Sequence, residues 1–416
     1  MSAYEPGHGA ACRFCGSRET ERFVDLGMSP LCESFLTADQ LDGMERFYPL
    51  DVFVCSRCLL VQLREYVAPA EIFREYAYFS SYSDSWLAHA RRYTEQVVER
   101  LGLGPEHFVV ELASNDGYLL RNFVERGIPC LGVEPAANVA EAARASGVPT
   151  RVEFFGRGVA EAIRAESRPV DLIIANNVLA QVPDLNDFVG GIARLLAPNG
   201  VVTLEFPHLL ELIEQNQFDT IYHEHFSYFS LGSTERILAA HGLDVFDVET
   251  LPSHGGSLRV FACREGTRGG AASEALEALR KREHEAALDE LAGHRGYAAR
   301  VAETKRGLLT FLIEAKRAGR RVAGYGAPGK GNTLLNYCGI RRDFLDFTVD
   351  RNPYKHGRFL PGTHIPVFPV EKLAEDKPDD ILILPWNLRR EIVEQLSYTR
   401  AWGARLVVPI PRLEVC

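Results

Sequence analysis

Nowhere in the 416 residues is there an unbroken apolar stretch of about 18 residues, the length a helix needs to cross a bilayer. The opening MSAYEPGHGAACRFC lacks a basic stretch followed by an apolar one, so it does not read as a leader, and a cytoplasmic protein is expected, with no membrane partner. Positive charge is in deficit: 46 Lys and Arg face 56 Asp and Glu, a net charge of -10. That argues against nucleic acid as a partner, while leaving room for a local basic pocket that takes one diphosphate. Internal repeats and low-complexity segments are missing too. What remains is an ordinary globular composition, 46% hydrophobic, long enough for two or three domains with their own cores. A monomer is compatible with it.

Of nine cysteines, five are scattered singly, and four form two pairs, Cys12/Cys15 in CRFC and Cys55/Cys58 in CSRC. Each CxxC turn aims two thiolates at one point, and four soft ligands close a tetrahedral zinc shell. The 39 residues between the pairs exceed the usual ribbon spacing, so a hairpin or loop is expected there. The competing reading, redox CxxC chemistry, lacks a thioredoxin-like βαβ context.

After this module, residues 71–103 turn from aromatic to helical, with apolar positions at three and four spacing through Leu87, Ala90, Val97 and Leu101. Strand-like runs then alternate with helical stretches: FVVELA, CLGVEP, TRVEFF, VDLIIANNVLA and GVVTLEFP. Such alternation implies a parallel sheet with helices on both faces. LDVFDVETLP and SLRVFACR, joined by SHGG, read as a closing antiparallel hairpin. Five parallel strands and a terminal hairpin are the strand pattern of class I methyltransferases. From Ala271 to Arg320 the chain is rich in alanine, glutamate and lysine with helical periodicity, and RVAGYGAPGKGNTLLNYCG then opens a second α/β unit. The expected class is therefore α/β, with an amino-terminal zinc-binding module (1–65), a Rossmann-like methyltransferase domain (66–267), and a helical connector leading into a second Rossmann-like domain (268–416).

In VVELASNDGYLL, Glu111 ends a strand and Gly117 lets the backbone approach a ligand, as a loop holding S-adenosylmethionine requires. Ala113 and Asn115 stand where glycines are common. Glu134, followed by Pro135, ends the next strand, where an acid holds both ribose hydroxyls. Phe154 and Phe155 offer aromatic faces to an adenine, and Asn176 and Asn177 follow the fourth strand at the substrate-facing edge. The plainer alternative for Glu111 and Glu134 is a pair of solvated strand-end carboxylates.

The second glycine loop, GYGAPGKGN, carries Gly326, Ala327, Lys330 and Asn332 just before a helix, a place where backbone N–H groups and a lysine bind phosphate oxygens. It does not spell a P-loop, and a structural tight turn is the competing reading. Asp350 and Lys355 follow on the next strand of that unit. The densest chemistry is YHEHFSYFS, Tyr222 to Ser230. Metal site, proton relay and packed polar strand are all open readings. In an extended segment Tyr222 and Glu224 share one face and His223 and His225 the other, whereas a loop would break that alternation, so spacing does not choose a base.

Taken together, CRFC, VCSRC, REYAYFSSYS, ELASNDG, YHEHFSYFS, HGGSLR and GYGAPGKGNT resemble, in order and over nearly the whole chain, the nucleotide-sugar C-methyltransferases of antibiotic deoxysugar biosynthesis. The resemblance is strongest to the tetronitrose type, which methylates C3 of a dTDP-linked 3-amino-4-keto deoxyhexose. It implies Zn2+ in the amino-terminal module, S-adenosylmethionine in the middle and the dTDP-linked keto-deoxysugar against the carboxyl-terminal lobe. It further implies His225 as base, Glu224 as its orienting or proton-transfer partner, and Tyr222 with Tyr76 around the keto oxygen. HGGSLR puts His254 and Arg259 near the substrate, although a hairpin turn with a buried histidine fits as well. One departure stands out: the family pattern has histidine where this chain has Gln181, and glutamine donates a hydrogen bond without carrying a proton. Two other functions stay open at this stage, a nicotinamide-dependent oxidoreductase using the second glycine loop and a non-catalytic zinc-ribbon protein with a degenerate methyltransferase fold.

Overall fold

Short runs of Val, Ile and Leu bounded by Gly, Pro and Asp become strands, because an apolar residue on either side of a strand needs a layer packed on both faces. The computed structural model describes residues 11–68, 72, 80–82, 84–267 and 272–416. They fall into two units. The first gathers the described residues of 1–20, 55–208 and 226–290; the second gathers 21–54, 209–225 and 291–416.

In the first unit, β1 (Val109–Leu112), β2 (Cys130–Val133), β3 (Thr150–Arg151), β4 (Val170–Asn176), β5 (Leu196–Pro207), β6 (Leu243–Leu251) and β7 (Ser257–Arg264) form one sheet in the order β6-β7-β5-β4-β1-β2-β3. The five strands from β5 to β3 run parallel, and β7 and β6 are antiparallel additions, as the hairpin reading expects. This is the class I methyltransferase order. Helix α1 (Asp84–Leu101) lays Ala90, Tyr93 and Val97 on Val109, Leu172, Ile174 and Val201 of the sheet, and the Tyr93 hydroxyl meets Thr203 Oγ1 at 2.6 Å. TRVEFF yields only two strand residues. A separate short ladder pairs Val61–Leu63 antiparallel with Ser227–Tyr228.

The second unit is built on β8 (Val322–Tyr325), β9 (Thr348–Val349), β10 (Val367–Phe368), β11 (Asp380–Ile383), β12 (Arg405–Val408) and β13 (Glu414–Val415), in the order β10-β9-β8-β11-β12-β13. All pairs are parallel except the last. The order reverses between β8 and β11, and at such a switch point the loops at the carboxyl ends diverge and leave a crevice. Helix α2 (Tyr297–Arg317) precedes this sheet, and α3 (Gly329–Cys338) starts from the glycine loop after β8. Residues between the two cysteine pairs supply the neighbouring strands Thr20–Ser29 and Tyr48–Cys55, the hairpin-like insertion that the long spacing implies.

Candidate functional site

The two CxxC segments each form a knuckle. Gly16 N–H donates to Cys12 O at 2.9 Å and Leu59 N–H to Cys55 O at 2.9 Å, with Gly16 and Leu59 both at positive φ. All four Sγ atoms lie within 4.8 Å of one another, and Cys12/Cys58 and Cys15/Cys55 approach to 3.6 Å. A zinc ion at ~2.3 Å from four sulfurs sets them about 3.8 Å apart. The cluster fits the metal, and Cys12, Cys15, Cys55 and Cys58 would hold it. It is the one group of metal-ligand spacing among the described residues, so a metal at His223 and His225 finds no support.

At the carboxyl edge of the first sheet, Ala113, Asn115, Gly117 and Asn177 all have positive φ. The two positions that the sequence fills with alanine and asparagine instead of glycine thus do adopt the backbone that glycine favours. Gly117 has a second reason: a Cβ there would stand 2.9 Å from Val148 Cγ2. Glu134 is pinned by its own loop, taking Asn115 N–H on Oε2 and Ala136 N–H on Oε1, each at 2.9 Å. Burial raises its pKa and those two N–H groups pull it back. Glu111 is 1% exposed, and burial, then the charges of Glu134 and Asp116, push it well above the usual carboxylate range. Glu111 Oε2, Asp116 Oδ1, Asn176 Oδ1 and both terminal atoms of the Asn177 side chain are buried without a partner among the described residues. Native interiors rarely leave so many polar atoms unpaired, and a polar ligand satisfies them. The donor set suits S-adenosylmethionine, with an acid for the ribose hydroxyls and further polar atoms for the amino-acid part. Pro135 sits between Glu134 and its second N–H donor. Phe154 is 52% exposed, and the partly buried Phe155 packs edge-on against Phe188 at 5.4 Å.

In the second unit Gly326 has φ 89 and no room for a Cβ, with Pro385 Cγ 2.6 Å from that point. Ala327 N–H donates to Asp350 Oδ2 at 2.7 Å and Lys355 Nζ donates to Ala327 O at 2.7 Å, so Asp350 and Lys355 clamp the glycine loop. Lys330 Nζ reaches Asn387 Oδ1 at 3.1 Å and lies over the Trp386 ring at 4.9 Å. Burial lowers its pKa, with Asp219 opposing. Asn332 Nδ2 donates to Cys32 O at 2.5 Å and its Oδ1 is buried and unpartnered.

Tyr222 to His225 is a turn, closed by His225 N–H to Tyr222 O at 2.9 Å. The two-face alternation of an extended segment does not apply, and the turn brings the Tyr222 and His225 rings together, tilted by 34° with centroids 4.1 Å apart. His225 Nδ1 lies 3.0 Å from Thr220 O; a carbonyl only accepts, so Nδ1 carries a proton, and in the neutral ring the lone pair is on Nε2. His223 is 3% exposed, its Nε2 on Pro49 O at 3.2 Å, and burial lowers its pKa. Glu224 is buried beside Cys32.

Gln181 ends a short turn of helix after β4, its N–H on Val178 O at 2.8 Å. Tyr76 lies outside the described residues. His254 takes φ 55 in the β6–β7 turn and meets the Trp86 ring edge-on at 5.2 Å. Arg259 is 2% exposed and pairs with Glu205 at 2.6 Å and Glu249 at 2.7 Å, tying together neighbouring strands of the sheet. Sequence reasoning passed over Cys32, His89 and Glu205, all in the neighbourhood of predicted residues; single residues without a motif gave no signal.

Family models match in succession along the chain: a zinc binding domain over residues 12–73, a methyltransferase domain over 86–248 and a C-methyltransferase C-terminal domain over 252–411. C-methyltransferase NovU of Streptomyces niveus is 37% identical over 404 residues, covering 97% of this chain and 96% of that protein. Among solved structures, the PH0226 protein of Pyrococcus horikoshii OT3 matches at 15% identity over 49% of this chain and 100% of that one, TM-score 0.38. Magnesium protoporphyrin IX methyltransferase from Synechocystis PCC 6803 matches at 14% identity over 44% and 82%, TM-score 0.33. At TM-scores this low neither likeness bears on the reaction. The near full-length identity, the four-cysteine cluster and the polar edge of the first sheet agree: the chain belongs to the C-methyltransferase family and is an S-adenosylmethionine-dependent enzyme with a zinc-binding module.

Proposed function

We propose that this cytoplasmic C-methyltransferase acts on C3 of a dTDP-linked 3-amino-4-keto deoxysugar, in the making of an antibiotic deoxysugar. The observation that carries most weight is the set of buried, unpartnered polar atoms of Glu111, Asn176 and Asn177 where the first sheet ends. The clamped glycine loop of the second unit, with Lys330 beside it, supports a diphosphate-bearing acceptor.

S-adenosylmethionine supplies a methyl group on a positively charged sulfur. A carbon acceptor meets it only as a carbanion, and the ketone next to C3 makes that carbanion accessible as an enolate. His225 Nε2, with its lone pair fixed by the Nδ1–H bond to Thr220, takes the C3 proton. Tyr222, in contact with that ring, and Tyr76 donate hydrogen bonds to the enolate oxygen, with Gln181 as a further donor. Glu224, protonated, orients the group. Carbon–carbon bond formation restores the ketone, and the proton on His225 leaves to water.

Replacing His225 by Ala tests the reading. Methyl transfer should fall by at least ~10²-fold while affinity for S-adenosylhomocysteine is nearly kept, since the residue acts on the sugar. Comparable turnover in the variant moves the base elsewhere.

A further inference from the structure

Within the first unit, a polar cluster next to the cofactor edge has no part in the chemistry above. Glu205, near the end of β5, is fully buried, and its neighbour across the sheet is Asn176. Asn177 N–H donates to Glu205 O at 2.6 Å, so the residue stands one strand over from the unpaired side chains of Asn176 and Asn177. Its carboxylate collects Arg259 Nη2 at 2.6 Å, Ser253 Oγ at 3.2 Å, and His89 Nε2 at 3.1 and 3.2 Å from the two oxygens. Burial alone would push this carboxyl up, but the His89 hydrogen bond and the Arg259 charge outweigh it and bring it down to about 2. An ionised carboxylate only accepts, so His89 Nε2 carries a proton. The 3.3 Å between His89 Nε2 and Arg259 Nη2 follows from two donors sharing one acceptor.

Nε2 is therefore tied up by the carboxylate and the ring is fixed in orientation, the latter also by Trp86 stacked on it at 4.8 Å and 13°. Every hydrogen bond of the ring goes through Nε2; Nδ1 has none among the described residues, and the side chain keeps 15% of its surface exposed. Next to it His254 holds a left-handed backbone, φ 55, at the edge of the Trp86 ring, a conformation that costs energy in a non-glycine residue.

We propose that His89 contacts the methyl acceptor, Nδ1 accepting a hydrogen bond from an O–H or N–H of that molecule while Glu205 and Arg259 hold the ring. The acceptor's identity rests on the sugar reading above; the ring's role does not. The α-ammonium of the cofactor is the other source of an N–H, and the test separates the two.

His89→Gln and His89→Asn discriminate contact from scaffolding. Glutamine carries a polar atom near the Nε2 position and keeps the link to Glu205, whereas asparagine places a carbonyl near Nδ1. With the dTDP-linked keto sugar as probe, His89→Gln should raise KM about tenfold, the worth of one hydrogen bond, and His89→Asn should recover most of it. S-adenosylhomocysteine affinity should stay within about twofold in both. The reverse order, Gln harmless and Asn damaging, overturns the proposal in favour of a purely structural ring, and a matching loss of S-adenosylhomocysteine affinity overturns it in favour of the cofactor. If the wild type leaves the keto sugar unchanged, the sugar reading fails, and nitrogen-15 NMR of the histidine ring still decides: the Nε2–H tautomer is expected, and the Nδ1–H tautomer overturns the inference.

Discussion

Glu224 lies against Cys32, Oε1 3.7 Å from Sγ, and among the described residues no cation pairs with it. Burial, then the charge of Glu33, lifts its pKa to about 8, which the thiol offsets only in part. A carboxyl so placed is mostly protonated at neutral pH and is a donor there, not a base.

In the unfolded chain the group titrates near ~4.3, so between that value and about 8 the folded state binds more protons, and stability falls as pH rises through this window. Glu224→Gln removes the penalty. Thermal melts should show the variant level with wild type near pH 4 and increasingly more stable up to about pH 8. A variant that is less stable throughout would mean that the carboxyl is ionised and paired in the fold. At pH 7 turnover of the variant should stay within several-fold, since the amide is a neutral donor of the same shape.

Cys55 is fully buried within the four-sulfur cluster, and a structural metal contributes folding free energy directly. Cys55→Ser should release roughly one zinc per chain and lower the melting temperature. Metal analysis and calorimetry check both; unchanged zinc content would remove Cys55 from the site.

The strands were readable because each needs a run of apolar residues, and the cysteine knuckles because two thiols within four residues already form half a metal site. The strand ends near Glu111 and Glu134 and the tight turn at Gly117 were readable, since such features are local. The turn at Tyr222–His225 was not, because alternation along a strand has no meaning once the backbone reverses. Nor were Cys32 and His89, whose partners Glu224 and Glu205 are 192 and 116 positions away. The pairing of Arg259 with Glu205 and Glu249 was equally hidden, because both partners lie on other strands of the sheet.

Lys330, over the Trp386 ring and next to the glycine loop, is the charge proposed to meet the diphosphate. Lys330→Ala should weaken free dTDP about tenfold or more, the worth of one charge-assisted hydrogen bond, with S-adenosylhomocysteine little affected. Titration calorimetry with both ligands decides, and a loss confined to S-adenosylhomocysteine would reverse the assignment of the two loops.

The central claim is that a methyl group is joined to carbon. Incubating the wild-type protein with S-adenosylmethionine labelled with carbon-13 in its methyl and the dTDP-linked 3-amino-4-keto deoxysugar labelled at C3 tests it in one spectrum. The account predicts a one-bond carbon–carbon coupling between the new methyl and C3, with one S-adenosylhomocysteine released per product. A methyl signal without that coupling, attached to the amino nitrogen or the enolate oxygen, would contradict it.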